Sequence, residues 1–203
     1  EPYFQQIVRL DTGAVTGYES LLRWNHPERG VLAPDAFLGI AEASGSLEAI
    51  DWQMFDLTCA AISRLVRPGQ YVNLNFSPRH FRDRHMDQRL LALIRDHGVS
   101  PSQVRIEVTE GTLIDNADQV AEIIDRLHQA GVLTSLDDFG TGYSSLGYLH
   151  RFRLHAVKID RSFVTPLKPG GGGASEAVVK AIMALAKSQG LDVIAEGVET
   201  VTQ

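Results

Sequence analysis

The chain predicts an α/β fold built on a mainly parallel sheet, and three observations carry that reading. Short apolar runs alternate with longer stretches at helical spacing. The first two runs are joined by Asp11-Thr12-Gly13, a hairpin signal that makes the opening pair antiparallel. Polar residues then recur at the ends of successive runs, the edge on which an α/β barrel places its chemistry. Strands are expected over Phe4–Leu10, Gly17–Arg23, Tyr71–Asn75, Val104–Val108, Val132–Asp137, His155–Ile159 and Asp192–Ala195. The helix expected over 47–65 places Ile50, Met54, Leu57, Ala61 and Leu65 on one face. The next, over 117–130, buries Val120, Ile123, Ile124 and Leu127 and stops at Gly131. A third starts near Ser175 as its cap and turns Val178, Ile182 and Leu185 inward.

A complete barrel of eight strand–helix units takes roughly 250 residues, and this chain supplies about six parallel-type units. The expectation is one domain over residues 1–203, truncated near its C-terminal end, with the closing part of the barrel missing or unusual. The opening Glu1-Pro2-Tyr3-Phe4 falls almost within a strand, as in a piece excised from a longer protein. Gly170 to Gly173 lack the preceding strand and the Gly-Lys-Ser/Thr ending of a phosphate loop, so they read as a flexible connection.

With 44% hydrophobic and 22% charged residues the composition is that of a globular fold. The net charge of −6 argues against a general nucleic-acid binder. The local basic stretch Arg79-His80-Phe81-Arg82-Asp83-Arg84-His85 reads as a solvated loop near a helix start. No apolar run approaches the ~20 residues of a membrane span, and no signal peptide opens the chain. The single cysteine, Cys59, lies in an apolar helical pattern and reads as a core residue in a reducing compartment. Together these place the chain in the cytoplasm and leave membrane anchoring to a longer parent protein.

The most informative local feature is the pair Asp137 and Asp138, which closes an apolar run and opens Phe139-Gly140-Thr141-Gly142-Tyr143. Successive strand residues point to opposite faces, so both carboxylates serve one site only where the chain leaves the strand. The two glycines are expected to permit that turn. Two such carboxylates repel unless a cation lies between them, and a divalent metal fits. The alternative is a solvated Asp-Asp turn.

Other runs deliver Glu19, Asn75, Glu107 (with Glu110 three residues on) and Glu196, and Lys158 lies between Val157 and Ile159. Five carboxylates with the Asn75 carbonyl form an all-oxygen ligand set suited to Mg²⁺ or Mn²⁺ rather than zinc. Lys158 in an apolar strand is costly unless paired or functional; among carboxylates it would stay charged and hold a water or a developing negative charge. Two metals roughly 3.5–4 Å apart would clamp the attacking and leaving oxygens of a phosphoryl transfer. Singly, each residue has a plainer reading: Glu107, Glu110, Glu196 and Glu199 as helix-start acids, Asn75 as a turn residue.

These residues resemble the EAL-domain phosphodiesterases, which cleave the bacterial second messenger cyclic di-GMP. Phe4-Gln5-Gln6-Ile7-Val8 is similar to the opening "YQPIV", and Glu19-Ser20-Leu21-Leu22-Arg23-Trp24 stands where "EALLRW" belongs. The stretch from Asn75 to Phe81 resembles "NLSARQF", and Glu107-Val108-Thr109-Glu110 resembles "ELTE". DDFGTGYSSLGYL at 137–149, KIDRSFV at 158–164 and AEGVET at 195–200 read almost as in the family.

The resemblance implies a modified (β/α)₈ TIM-like barrel with an antiparallel first strand. It implies two metals per site held by Glu19, Asn75, Glu107, Asp137, Asp138 and Glu196, with Asp137 as the bridge. Lys158 would position or polarise the attacking water, and Glu196 is left between two roles, ligand and general base. Glu110 would hold the loop after Asp138, through which relatives form a homodimer. Arg23 would contact a substrate phosphate, with Gln5 and Leu21 near the ligand. An upstream sensor or GGDEF domain in a longer protein is also implied. Ser20 replaces the signature alanine without removing a ligand, and Gln6 replaces a proline. The family's closing segment near the guanine site has no counterpart here.

The resulting expectation is hydrolysis of cyclic di-GMP to linear pGpG by water activated at two metals. The first rival is an inactive cyclic di-GMP receptor, disfavoured because every ligand position is filled. The second is a kinase, suggested by Asp138-Phe139-Gly140. It fails because the chain has neither an upstream His-Arg-Asp loop nor a Gly-rich phosphate loop.

Overall fold

The structure, a computed structural model, describes residues 1–141, 150–167, 173–200 and 203. These fall into two compact units. The first comprises Glu1–Asn75, His85–Arg105 and Ala130–Val132; the second comprises Phe76–Arg84, Ile106–Gln129 and Leu133–Gln203.

In the first unit β1 (Pro2–Val8) and β2 (Val15–Leu22) form the expected antiparallel hairpin, in register from Pro2 opposite Leu22 to Val8 opposite Val15. Gly13, at φ +68°, makes the turn, and its N–H donates to the Arg9 carbonyl at 2.8 Å. β2 then pairs parallel with β5 (Tyr71–Phe76), Gly17 lying opposite Tyr71 and Glu19 opposite Asn73. A short hairpin of β3 (Trp24–His26) and β4 (Gly30–Leu32) follows β2, and α1 (Leu38–Ala43) precedes α2 (Leu47–Leu65). The hairpin strands are three residues each, too short to show a period in the sequence.

The bounds of α2 and the burial of Met54 are as expected, but the rest of its buried face is not. Leu57 is 40% exposed, while Trp52, Phe55, Cys59 and Ile62 are buried. Both stripes have helical spacing; the one carrying two aromatic rings removes more apolar surface from water and wins. Cys59 is 1% exposed, and burial, helped by the nearby Asp56 charge, pushes its thiol up to about 12. Val72 and Leu74 of β5, with Leu90 and Ile94 of α3 (Met86–Asp96), are also fully buried in this unit.

The second unit orders its strands β6-β7-β8-β9: β6 (Val104–Thr109), β7 (Leu133–Phe139), β8 (Ala156–Ile159) and β9 (Asp192–Ala195). β7 pairs parallel with β8, and β8 with β9. After α4 (Glu110–Ile114), α5 (Ala117–Ala130) buries Val120, Ile123, Ile124 and Leu127 completely, as its sequence spacing requires. Asp160 caps the short α6 (Arg161–Val164), and hydrogen bonding from Ser162 holds its carboxyl below the usual range. α7 (Ala174–Gln189) begins one residue before the expected cap. Gly173 occupies the N-cap without a side-chain bond, so Ser175 lies inside the first turn. The expected connection at Gly170 to Gly173 lies, except for Gly173, outside the described residues, as do 142–149 of the long motif.

The basic stretch is only partly a solvated loop. Arg82 and Arg84 are exposed, but His80 and Phe81 are each 3% exposed, and His80 closes a capping box with Ser77 over Pro78–Arg82. Among the described residues no helix is long and apolar enough to cross a membrane.

A Cβ added at Gly17 would lie 2.7 Å from the Tyr71 carbonyl oxygen and 2.8 Å from its ring. The Arg105 guanidinium lies over that ring, 3.4 Å from the centroid, and holds it in place. Gly17→Ala is therefore expected to cost about 1–3 kcal/mol, read as a lowered urea midpoint at unchanged slope.

Candidate metal-binding site

Lys158 lies at the centre of the second unit's polar cluster. Alternation along β8 turns Val157 and Ile159 to one face and Lys158 to the other, where it is 1% exposed. Its Nζ lies 3.0 Å from Glu107 Oε2, 3.1 Å from Asp137 Oδ1 and 2.7 Å from Glu196 Oε1. Glu107, itself 1% exposed, comes from β6, Asp137 from β7, and Glu196 follows β9. The Glu196 N–H donates to the Ile159 carbonyl at 3.1 Å, continuing the β8–β9 ladder one step and fixing where its side chain leaves the backbone. Lys158 and Glu107 are fully desolvated, Asp137 and Glu196 partly so, and mutual pairing offsets that cost.

The aspartate pair is brought together differently from the expectation. The chain does not leave the strand at Asp137; β7 continues to Phe139, and the register with β8 shifts between Leu136 and Phe139. Asp138 itself adopts the left-handed conformation, at φ +54°, and its N–H donates to Asp137 Oδ1 at 2.9 Å. This bulge, rather than the glycines, overrides alternation and turns both carboxylates to one side. One oxygen each from Asp137, Asp138 and Glu196 lies within 4.8 Å of the others, close enough to ligate a single ion. The donors are all carboxylate oxygens, which fits a hard divalent cation.

Gly140, at φ +94°, follows the bulge, and its N–H donates to Glu110 Oε1 at 2.7 Å. Glu110 opens α4, so helix and bulge hold each other. Residues 142–149 of the loop, and with them the expected dimer contact, lie outside the described residues.

The first unit holds a second, smaller set. Asn75 Nδ2 donates to Glu19 Oε1 at 3.2 Å, a bond that leaves the amide oxygen of Asn75 to other ligands. Gln5 is the cross-strand partner of Glu19, and Leu21 and Arg23 follow Glu19 at intervals of two. Gln5, Glu19 and Leu21 therefore share one side of the β1–β2 ribbon, and Arg23 follows just past the end of β2. The Arg23 guanidinium donates to the Leu22 carbonyl at 2.8 Å.

Sequence reasoning did not anticipate the partner of Ser20. Its hydroxyl, 4% exposed, lies 2.7 Å from that of Thr58 on α2, which is fully buried. The available signal was a threonine among apolar residues on an inward helix face.

The family model for the EAL domain matches residues 1–203. The chain belongs to the EAL domain family. Cyclic di-GMP phosphodiesterase RocR of Pseudomonas aeruginosa is 38% identical over 98% of the chain and 51% of its own length. Cyclic di-GMP phosphodiesterase PdeL of Escherichia coli is 34% identical over 100% of the chain and 56% of its own length. NbdA of Pseudomonas aeruginosa, named for the same activity, is 37% identical with 26% of its length covered. The EAL chain thus spans between a quarter and somewhat over half of these relatives. A solved PaMucR phosphodiesterase in complex with c-di-GMP superposes with a TM-score of 0.91 at 35% identity, over 99% of this chain and 82% of that one. The α/β class expected from the sequence, with its mainly parallel sheet and antiparallel first strand, is that of the solved EAL structures.

Removing the Lys158 ammonium leaves Glu107 buried without that counter-charge. Lys158→Met is expected to lower stability by about 3–5 kcal/mol in urea titrations at neutral pH. The exposed Lys187→Met control should stay within about 0.5 kcal/mol of wild type.

Proposed function

We propose that this EAL domain is a metal-dependent phosphodiesterase that hydrolyses cyclic di-GMP to linear pGpG. The observation that carries the reading is the buried Lys158 ammonium among Glu107, Asp137 and Glu196, beside the three-carboxylate group of Asp137, Asp138 and Glu196. A structural core does not need a fully buried lysine and glutamate beside two partly exposed carboxylates, and clusters of this kind concentrate at functional sites. The relatives named as cyclic di-GMP phosphodiesterases supply the substrate.

The proposed ligands are Glu19 and Asn75 in the first unit and Glu107, Asp137, Asp138 and Glu196 in the second, for two Mg²⁺ or Mn²⁺ ions. When bound, the ions lower the pKa of water and draw charge from the phosphodiester oxygens. The chain's own residues do the rest. Lys158 is a fixed cation placed to stabilise charge that develops on the phosphate oxygens. Glu196, bonded to Lys158 yet 27% exposed at its side chain, faces outward enough to accept a proton from water. Arg23, just past the end of the strand that carries Glu19 and Leu21, is suited to a substrate phosphate, with Gln5 and Leu21 near the ligand. Glu110 keeps the bulge in place through Gly140.

The inactive-receptor reading predicts binding without turnover, and the filled ligand positions favour catalysis over it. Purified protein with Mn²⁺ or Mg²⁺ is expected to convert cyclic di-GMP to pGpG, followed by chromatography, and chelation should abolish the product. Glu19→Ala and Asp137→Asn should each lower turnover at least about 100-fold, more than is lost when only the support around a ligand goes. Tight cyclic di-GMP binding with no pGpG from the metal-loaded wild type would establish the receptor instead.

A further inference from the structure

The geometry points to Ser20 and Thr58 as a positioning pair that sets the placement of Glu19, and through it the affinity of the metal ligand set in the first unit. The inference rests on the proposed role of Glu19 as a ligand.

Glu19 and Ser20 are neighbours on β2, so their side chains leave opposite faces of the sheet. Glu19 reaches Asn75; Ser20 turns back against α2, where its hydroxyl meets Thr58 Oγ1 at 2.7 Å. Among the described residues neither hydroxyl has another hydrogen bond. A threonine inside a helix commonly returns its hydroxyl to the carbonyl one turn back. Thr58 bonds to the strand instead.

The consequence is mechanical. The ladders to β1 and β5 fix β2 sideways, through Gln5 and Asn73 opposite Glu19. The apolar contacts between sheet and helix are non-directional, and tolerate a small tilt of the strand. The Ser20–Thr58 bond is directional and adjoins the peptide that carries Glu19. The pair is mutual, because removing one hydroxyl leaves the other buried without a partner.

The test uses the full chain as Ser20→Ala, Thr58→Val, the double variant and Thr58→Ser, with Glu19→Ala marking complete loss of the ligand. Mn²⁺ affinity is measured by titration calorimetry without nucleotide, beside urea stability. Each single variant is expected to weaken Mn²⁺ binding by up to about 10-fold, the low end of what losing support around a ligand costs. Thr58→Ser, which keeps the hydroxyl, should retain wild-type affinity. The double variant should be no weaker than the weaker single, since it leaves no orphaned group. Wild-type Mn²⁺ affinity in both singles, with stability alone reduced, overturns the positioning role. Additive losses in the double variant overturn the pairing. A wild-type chain that binds no Mn²⁺ removes the ligand role of Glu19 and this inference with it, whereas Mn²⁺ binding without pGpG formation sinks only the catalytic reading.

Discussion

The ammonium of Lys158, 2.7 to 3.1 Å from carboxylates on three different polypeptide segments, is what allows the second unit to keep acids at the ends of neighbouring strands. Without a cation among them, desolvation and like-charge repulsion would act together, and the strands that carry them are otherwise apolar. One side chain thus reconciles two opposed demands: a dry, tightly packed sheet below, and a dense negative charge above. It also sets a direction. Three carboxylates close around one ammonium, so Glu107, Asp137 and Glu196 are oriented toward a common point rather than splayed. The preorganisation that catalysis asks of a site is in this case a by-product of making the fold electrostatically tolerable.

Backbone distortion supplies what side-chain alternation cannot. A regular strand would send Asp137 and Asp138 to opposite faces, one of them into the helix layer. The bulge avoids this at the cost of a non-glycine residue in the left-handed region, about 1–2 kcal/mol. An aspartate is among the few side chains that tolerate the conformation, and Glu110 offsets part of the cost by anchoring the next turn through Gly140. Strain of this sort persists only where its surroundings over-determine it, and here the anchoring comes from a helix that begins at the end of the neighbouring strand.

Much of this was legible in the sequence, and the reasons differ from residue to residue. The α5 helix was legible because four apolar residues at strict spacing leave one solution, and β9 because its apolar run Val193-Ile194-Ala195 lies between Asp192 and Glu196. The hairpin was legible in Asp11-Thr12-Gly13. Glu19, Asn75, Glu107 and Glu196 stood out because polar residues at the ends of apolar runs recur in step with the fold, and Lys158 because a lysine inside an apolar strand is costly. The buried face of α2 was not legible, since two stripes compete on one helix and tertiary packing chooses between them. Nor was the conformation of Asp138, because the glycines beside it offered the simpler turn. The Ser20–Thr58 bond joins residues 38 apart in sequence, and no local rule connects them.

The chain contains one cysteine, buried at 1% exposure with its thiol raised to about 12. A thiolate is the species that alkylates, and at neutral pH this group holds almost none. The domain is in effect a cysteine-free background as it stands. A cysteine introduced on an exposed element becomes the sole addressable thiol, so fluorophores, spin labels or cross-linkers can be attached at one chosen position with the native core left intact.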